Sequence, residues 1–149
     1  MALYGLNSVV VTGAATLISI FVGVPAAYGI AKGKAKGMAF LIMLARLTPG
    51  LSFLIPLFMA FRFLGVSGTL WPLIITHLVI TLPIVVWVMS SFFEEMHPEL
   101  EEAALVDGAT LWTAFARVAV PIARPGIAVA AILAFINSWN NFLFGAVLG

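Results

Sequence analysis

The sequence predicts an all-α, polytopic membrane helix bundle of about four transmembrane helices, with a hairpin of short helices in water between the third and the fourth. Three observations predict it. Hydrophobic residues make up 63% of the 149-residue chain and charged residues only 9%, whereas soluble domains carry roughly 25% charged residues. So few charges cannot cover a water-exposed surface, and a mean hydropathy of +1.18 makes lipid the solvent. Apolar stretches at about 7–31, 38–61, 70–93 and 124–148 each reach the roughly 20 residues that a helix needs to cross a bilayer. Finally, all six acids, Glu94, Glu95, Glu99, Glu101, Glu102 and Asp107, open one polar island over 94–121.

Composition excludes several functions. A net charge of +1 without a basic patch leaves nothing to neutralise phosphates, so no nucleic-acid partner is expected. The absence of cysteine rules out disulfides and thiolate metal sites. MALYGLNS has neither the basic n-region nor the cleavage site of a signal peptide.

In the first stretch Ala15, Ser19 and Gly23 repeat every four residues, the small-xxx-small spacing that lets membrane helices pack without a hydrophobic drive. Pro25 is expected to kink this helix. The loop KGKAKG carries Lys32, Lys34 and Lys36, which read as a topology signal, with binding to anionic lipid the alternative. The second stretch is interrupted by Thr48-Pro49-Gly50 and Pro56 and contains Arg46. An intramembrane charge is a functional candidate by default; bonding to carbonyls freed ahead of Pro49, or an interfacial position, is the alternative. After the glycine-rich turn RFLGVSGT, the third stretch carries Thr76, His77, Thr81 and Pro83 in its first half. No second histidine or carboxylate lies at i±3 or i±4 of His77, which favours a hydrogen-bonded helix contact over a metal or proton role. In the fourth stretch Asn137, Asn140 and Asn141 fall at i, i+3 and i+4 and share one face. Asn137 lies about 18 Å along the helix from Pro125, near mid-bilayer. Amides there must meet protein or water, either along a solute path or in hydrogen bonds between helices.

The island reads as a helix, a break and a second helix. His97 is placed to cap the first helix with Pro98 at its first position, and Glu99, Glu101 and Glu102 sit where the macrodipole favours carboxylates. Leu100, Ala103 and Ala104 form a shallow apolar ridge, and Asp107-Gly108 ends the helix with Gly108 at φ > 0. Thr110 caps a second helix with an apolar stripe of Trp112, Phe115, Ala116 and Ala119, expected to stop at Pro121.

At these residues the chain resembles the ABC importer permeases. Their EAA motif, E-A-A, three residues, G, nine residues, I-x-L-P, is matched by Glu102-Ala103-Ala104, Gly108 and Val118-Ala119-Val120-Pro121, with valines replacing Ile and Leu. SWNNFLF also resembles the SWNEFLF-like stretch of the carbohydrate branch, with Asn141 where an acid is common. The resemblance implies that Glu102, Ala103, Ala104, Asp107, Gly108 and Pro121 belong to a coupling helix and its hairpin, docking into a cytoplasmic ATP-binding subunit dimer. It also implies a second permease subunit, an extracytoplasmic solute-binding protein, a bacterial inner-membrane location in contact with lipid, and a sugar or glycerol-phosphate-like solute. Neither a cofactor nor a resident metal is implied. The family has about six spans, so a fragment lacking the first and last is expected.

Other functions fit less well. No GxxxxGK[ST] occurs, so ATP hydrolysis is assigned to a partner and the chain is not expected to be an enzyme. A carrier driven by an ion gradient would want intramembrane carboxylates, and every acid lies in the island. A non-transporting anchor binding haem or quinone would want more than the isolated His77 and His97. With four spans, Lys32, Lys34, Lys36, Arg117 and Arg124 fall on the side of the island, and Arg62 on the other. That positive-inside bias puts the island in the cytoplasm.

Overall fold

The structure, a computed structural model, describes residues 2–33, 35–47, 50–66 and 69–140. Every regular element among them is helical: α1 (Ala2–Lys32), α2 (Lys36–Leu47), α3 (Gly50–Phe63), α4 (Trp71–Glu95), α5 (Glu99–Val106), α6 (Leu111–Ile122) and α7 (Arg124–Trp139). An all-α membrane bundle is what lipid demands, because a helix satisfies its own backbone where no water can. Residues 5–32 of α1 and the whole of α4 are long and apolar enough to cross a membrane, and α6 with α7 makes a third candidate, bent by 73°.

On the stretch expected as an interrupted crossing at 38–61, the described residues form α2 of 12 residues and α3 of 14. Thr48 and Pro49 themselves, like Lys34, lie outside the described residues, as does the side chain of Arg46. Pro25, by contrast, sits inside an unbroken α1.

Small residues set the packing. Ala15, Ser19, Gly23 and Ala27, four residues apart, are all buried where α1 meets α4. At Gly23 the backbones come so close that an added Cβ would lie 2.8 Å from Val85 Cγ1. On α7, Gly126, Ala130, Ala134 and Ser138 make a second such stripe, and a Cβ on Gly126 would fall 2.6 Å from Phe92 Cδ2. These close approaches replace hydrophobic drive with van der Waals contact, the currency available between helices in lipid. Around the stripes Val24, Ile30, Val85, Val86, Met89, Phe93 and Phe115 complete one buried cluster. Val11, Phe61, Leu73 and Ile74 form a second, where α3 meets α1 and the start of α4. Phe21, Leu17, Phe63 and Met59 point outward, as lipid-facing side chains do.

α6 departs from the expected pattern. Residues 115–119 form a π-helical turn, with the Val120 N–H reaching back to the Phe115 carbonyl. The helix therefore does not stop at Pro121 but continues to Ile122. The wider turn relieves the clash that a proline ring makes with the carbonyl four residues back. The buried face also differs from the expected stripe: the buried residues are Ala114, Phe115, Ala119 and Ala123, whereas Trp112 and Ala116 are exposed.

Candidate functional site

The first candidate site is the end of the bundle where α5 lies. α5 begins one residue later in the capping scheme than expected: Pro98, not His97, is the N-cap, its carbonyl accepting from the N–H groups of Glu101 and Glu102. At the other end the Gly108 N–H donates to Leu105 O and the Ala109 N–H to Ala104 O, both at 3.0 Å, with Gly108 at φ +91°. That is a Schellman ending, and a side chain at position 108 would be strained there. The Thr113 N–H then donates to Thr110 Oγ1 at 3.2 Å, which starts α6. Two short helices joined by so tight a turn hold a fixed angle to one another.

The apolar ridge of α5 faces away from the bundle: Leu100 and Ala103 are exposed and Ala104 is half-buried. Glu101 is the inward residue, only 1% exposed. Its carboxylate accepts a hydrogen bond from the Tyr28 hydroxyl, and Oε2 lies 2.5 Å from Lys32 Nζ. A carboxylate this deep requires such partners, since an unpaired buried charge is costly. Tyr28 is held in turn by Phe93 of α4, edge-on at 5.4 Å, and by Phe115 of α6 at 4.7 Å. Four helices thus converge on one tyrosine and one glutamate. Because Lys32 ends α1, the contact also places that end of α1 and the acidic island together.

Of the motif residues, Glu102, Ala103, Asp107 and Gly108 are exposed, and Ala104 and Pro121 are half-buried. The exposed four line the outer surface of the α5 turn. The sequence reading singled these out and passed over Glu101 as one acid among several.

The second candidate lies in the apolar part of the bundle. Ser19 Oγ and Thr81 Oγ1 are 2.6 Å apart, joining α1 to α4. His77 Nδ1 and Ser138 Oγ, also 2.6 Å apart and buried, join α4 to α7. His77 is therefore a helix-to-helix contact, the role its isolation from other ligating side chains favoured. Asn137 is half-buried and Asn140 is exposed at the C-terminal end of α7; Asn141 lies outside the described residues. The buried polar partner on α7 is thus Ser138, which the asparagine pattern had overshadowed.

Residues 9–149 match the family described as binding-protein-dependent transport system inner membrane component. The trehalose transport system permease protein SugB of Mycobacterium tuberculosis is 39% identical over 147 residues, covering 96% of this chain and 53% of that protein. The diacetylchitobiose uptake system permease protein NgcG of Streptomyces coelicolor is 38% identical over 148 residues, 97% of this chain and 49% of that one. The sulfoquinovosyl glycerol transport system permease protein SmoH of Agrobacterium fabrum is 37% identical over 144 residues, 95% of this chain and 50% of its own length. The chain therefore spans about half the length of the curated relatives it matches.

Proposed function

Because the chain belongs to the family of binding-protein-dependent transport system inner membrane components, we propose that it acts in the membrane-embedded permease of an ATP-driven importer, with α5 as the helix that docks onto a separate ATPase. The observation that carries this is the division of labour on α5. Glu101 anchors one side to the bundle, while Glu102 and Ala103 face outward and Gly108 fixes the turn into α6. An element tied down on one side and bare on the other suits a lever gripped from outside. In this reading ATP closes the partner dimer, the docking cleft carries α5 with it, and the attached spans rock between two openings, a two-state domain closure.

The remaining assignments follow from the same reading. Residues 1–149 form part of an ABC transmembrane type-1 domain that crosses the bacterial inner membrane at about 7–31, 38–61, 70–93 and 124–148, with the 94–121 loop in the cytoplasm. The partners are an ATP-binding subunit dimer, a second permease subunit and an extracytoplasmic solute-binding protein. The names of the relatives, which include trehalose, diacetylchitobiose and sulfoquinovosyl glycerol permeases, support a carbohydrate-like solute. Asn137, Asn140 and Asn141 are the residues proposed to face the path.

Glu102→Lys and Gly108→Asp test the docking role. Either change abolishes solute-stimulated ATP turnover in the assembled complex while the protein still inserts in the membrane. Unchanged turnover refutes the assignment.

A further inference from the structure

The docking motif explains why α5 is bare on its outer side. It leaves unexplained why the inner side is held by a charge rather than by apolar packing, in a chain where apolar residues abound. Glu101 is 1% exposed, and its two partners, Tyr28 and Lys32, both come from α1, one helical turn apart. Tyr28 is also wedged between Phe93 of α4 and Phe115 of α6. A greasy contact between α5 and α1 would tolerate sliding, because dispersion is nearly indifferent to register. A buried carboxylate shared between a phenol and an ammonium has one geometry that satisfies it, and every displacement leaves a charge without a partner.

We infer that Glu101, through Tyr28 and Lys32, is a clamp that makes α5 and the inner end of α1 a single rigid body, so that a displacement of α5 is transmitted to a membrane-spanning helix 73 residues away in sequence. Glu101 is a positioning residue: it touches neither solute nor nucleotide, and it sets the stiffness of the joint between the docking element and a span. The inference rests on the reading of α5 as a docking helix, but the rigidity itself is a property of this chain and is measurable without a partner. Two features of the site fit a joint under load. Lys32 is 43% exposed on its side chain, so the cation is supplied from the aqueous edge while the carboxylate stays inside. The aromatic contacts to Tyr28 come from α4 and α6, the two helices that flank α5 in the chain, so the joint is braced on both sides.

Distance measurement between spin labels tests the clamp. The chain has no cysteine, so within it nitroxides attach only at cysteines introduced at the exposed Ala26 of α1 and Glu99 of α5, and the partner subunits are used in cysteine-free form. The labelled protein is studied in the whole transporter complex in lipid nanodiscs, nucleotide-free and with ATP trapped by vanadate. The clamp requires a narrow distance distribution that is the same in both states. Glu101→Ala and Lys32→Met each lose the narrow distribution, and the charge-reversed pair Lys32→Glu with Glu101→Lys regains it. A distribution indifferent to Glu101→Ala overturns the inference, and so does one that stays broad in the charge-reversed protein. Retention of the ATPase subunit on purification is scored alongside. If the unaltered chain retains no ATPase, the docking reading fails while the distances still judge the clamp. If the ATPase is retained and the distances ignore Glu101, the clamp alone fails.

Discussion

Gly23→Ala probes the closest helix approach in the bundle. A methyl carbon at position 23 lands 2.8 Å from Val85 Cγ1, 3.2 Å from Val85 Cβ and 3.4 Å from Leu82 Cδ1. Unstrained carbon–carbon contacts lie at about 3.5–4.0 Å, so the overlap with Cγ1 is on the order of 1 Å. Rotation of Val85 about χ1 moves Cγ1 but leaves Cβ in place, and Val85 is fully buried, so α1 and α4 must separate. Overpacking of this kind costs about 1–3 kcal/mol, offset by the ~1 kcal/mol by which alanine exceeds glycine as a helix former. A net destabilisation of roughly 1 kcal/mol is expected. The sharper quantity is the coupling to Val85. In a Val85→Ala background the methyl has room, so the same substitution becomes neutral or stabilising, with a coupling of about 0.5–3 kcal/mol. Unfolding of the four proteins in mixed micelles, titrated with a denaturing detergent, measures each term. If Gly23→Ala costs the same with valine or alanine at 85, the close approach is not what limits that position.

Three further predictions address the polar groups and the orientation. His77→Leu orphans the buried Ser138 hydroxyl and destabilises the bundle by about 1–3 kcal/mol in the same assay, and adding Ser138→Ala recovers part of the loss; equal instability of single and double variants refutes a pairwise contact. Asn140→Leu changes the rate or selectivity of solute uptake if the amide faces the path, and unaltered uptake removes Asn140 from it. A cysteine introduced at Lys34 is labelled by a membrane-impermeant maleimide only from the cytoplasmic side; labelling from outside reverses the orientation and with it the docking role.

Much of this arrangement is legible in the sequence where the governing rule is local. The α1 stripe is written as small residues every four positions, and the end of α5 as Asp107-Gly108, because only glycine takes the required φ at little cost. Thr110 announces the start of α6 in the same way. The long-range and irregular features are not legible. Nothing in ELEEAA distinguishes Glu101 from Glu99 or Glu102; its burial depends on Tyr28 and Lys32, which only the folded bundle brings near. The α7 stripe of Gly126, Ala130, Ala134 and Ser138 carries a signal as plain as that of α1. The inward face of α6 is not legible for another reason: aromatic and alanine side chains occur on more than one side of it, and the contact of Phe115 with Tyr28, from a distant helix, decides which side turns inward.

That turn has an architectural consequence. It stores one surplus residue just ahead of the 73° corner into α7. Removing any one of Phe115 to Ala119 would return the stretch to ordinary winding and leave the bearing of α7 nearly as it is, because the wider turn absorbs the surplus residue. The same deletion in regular helix would swing everything downstream by about 100° around the axis, so these five residues are where a lineage could lose a single codon without rebuilding the wall beyond.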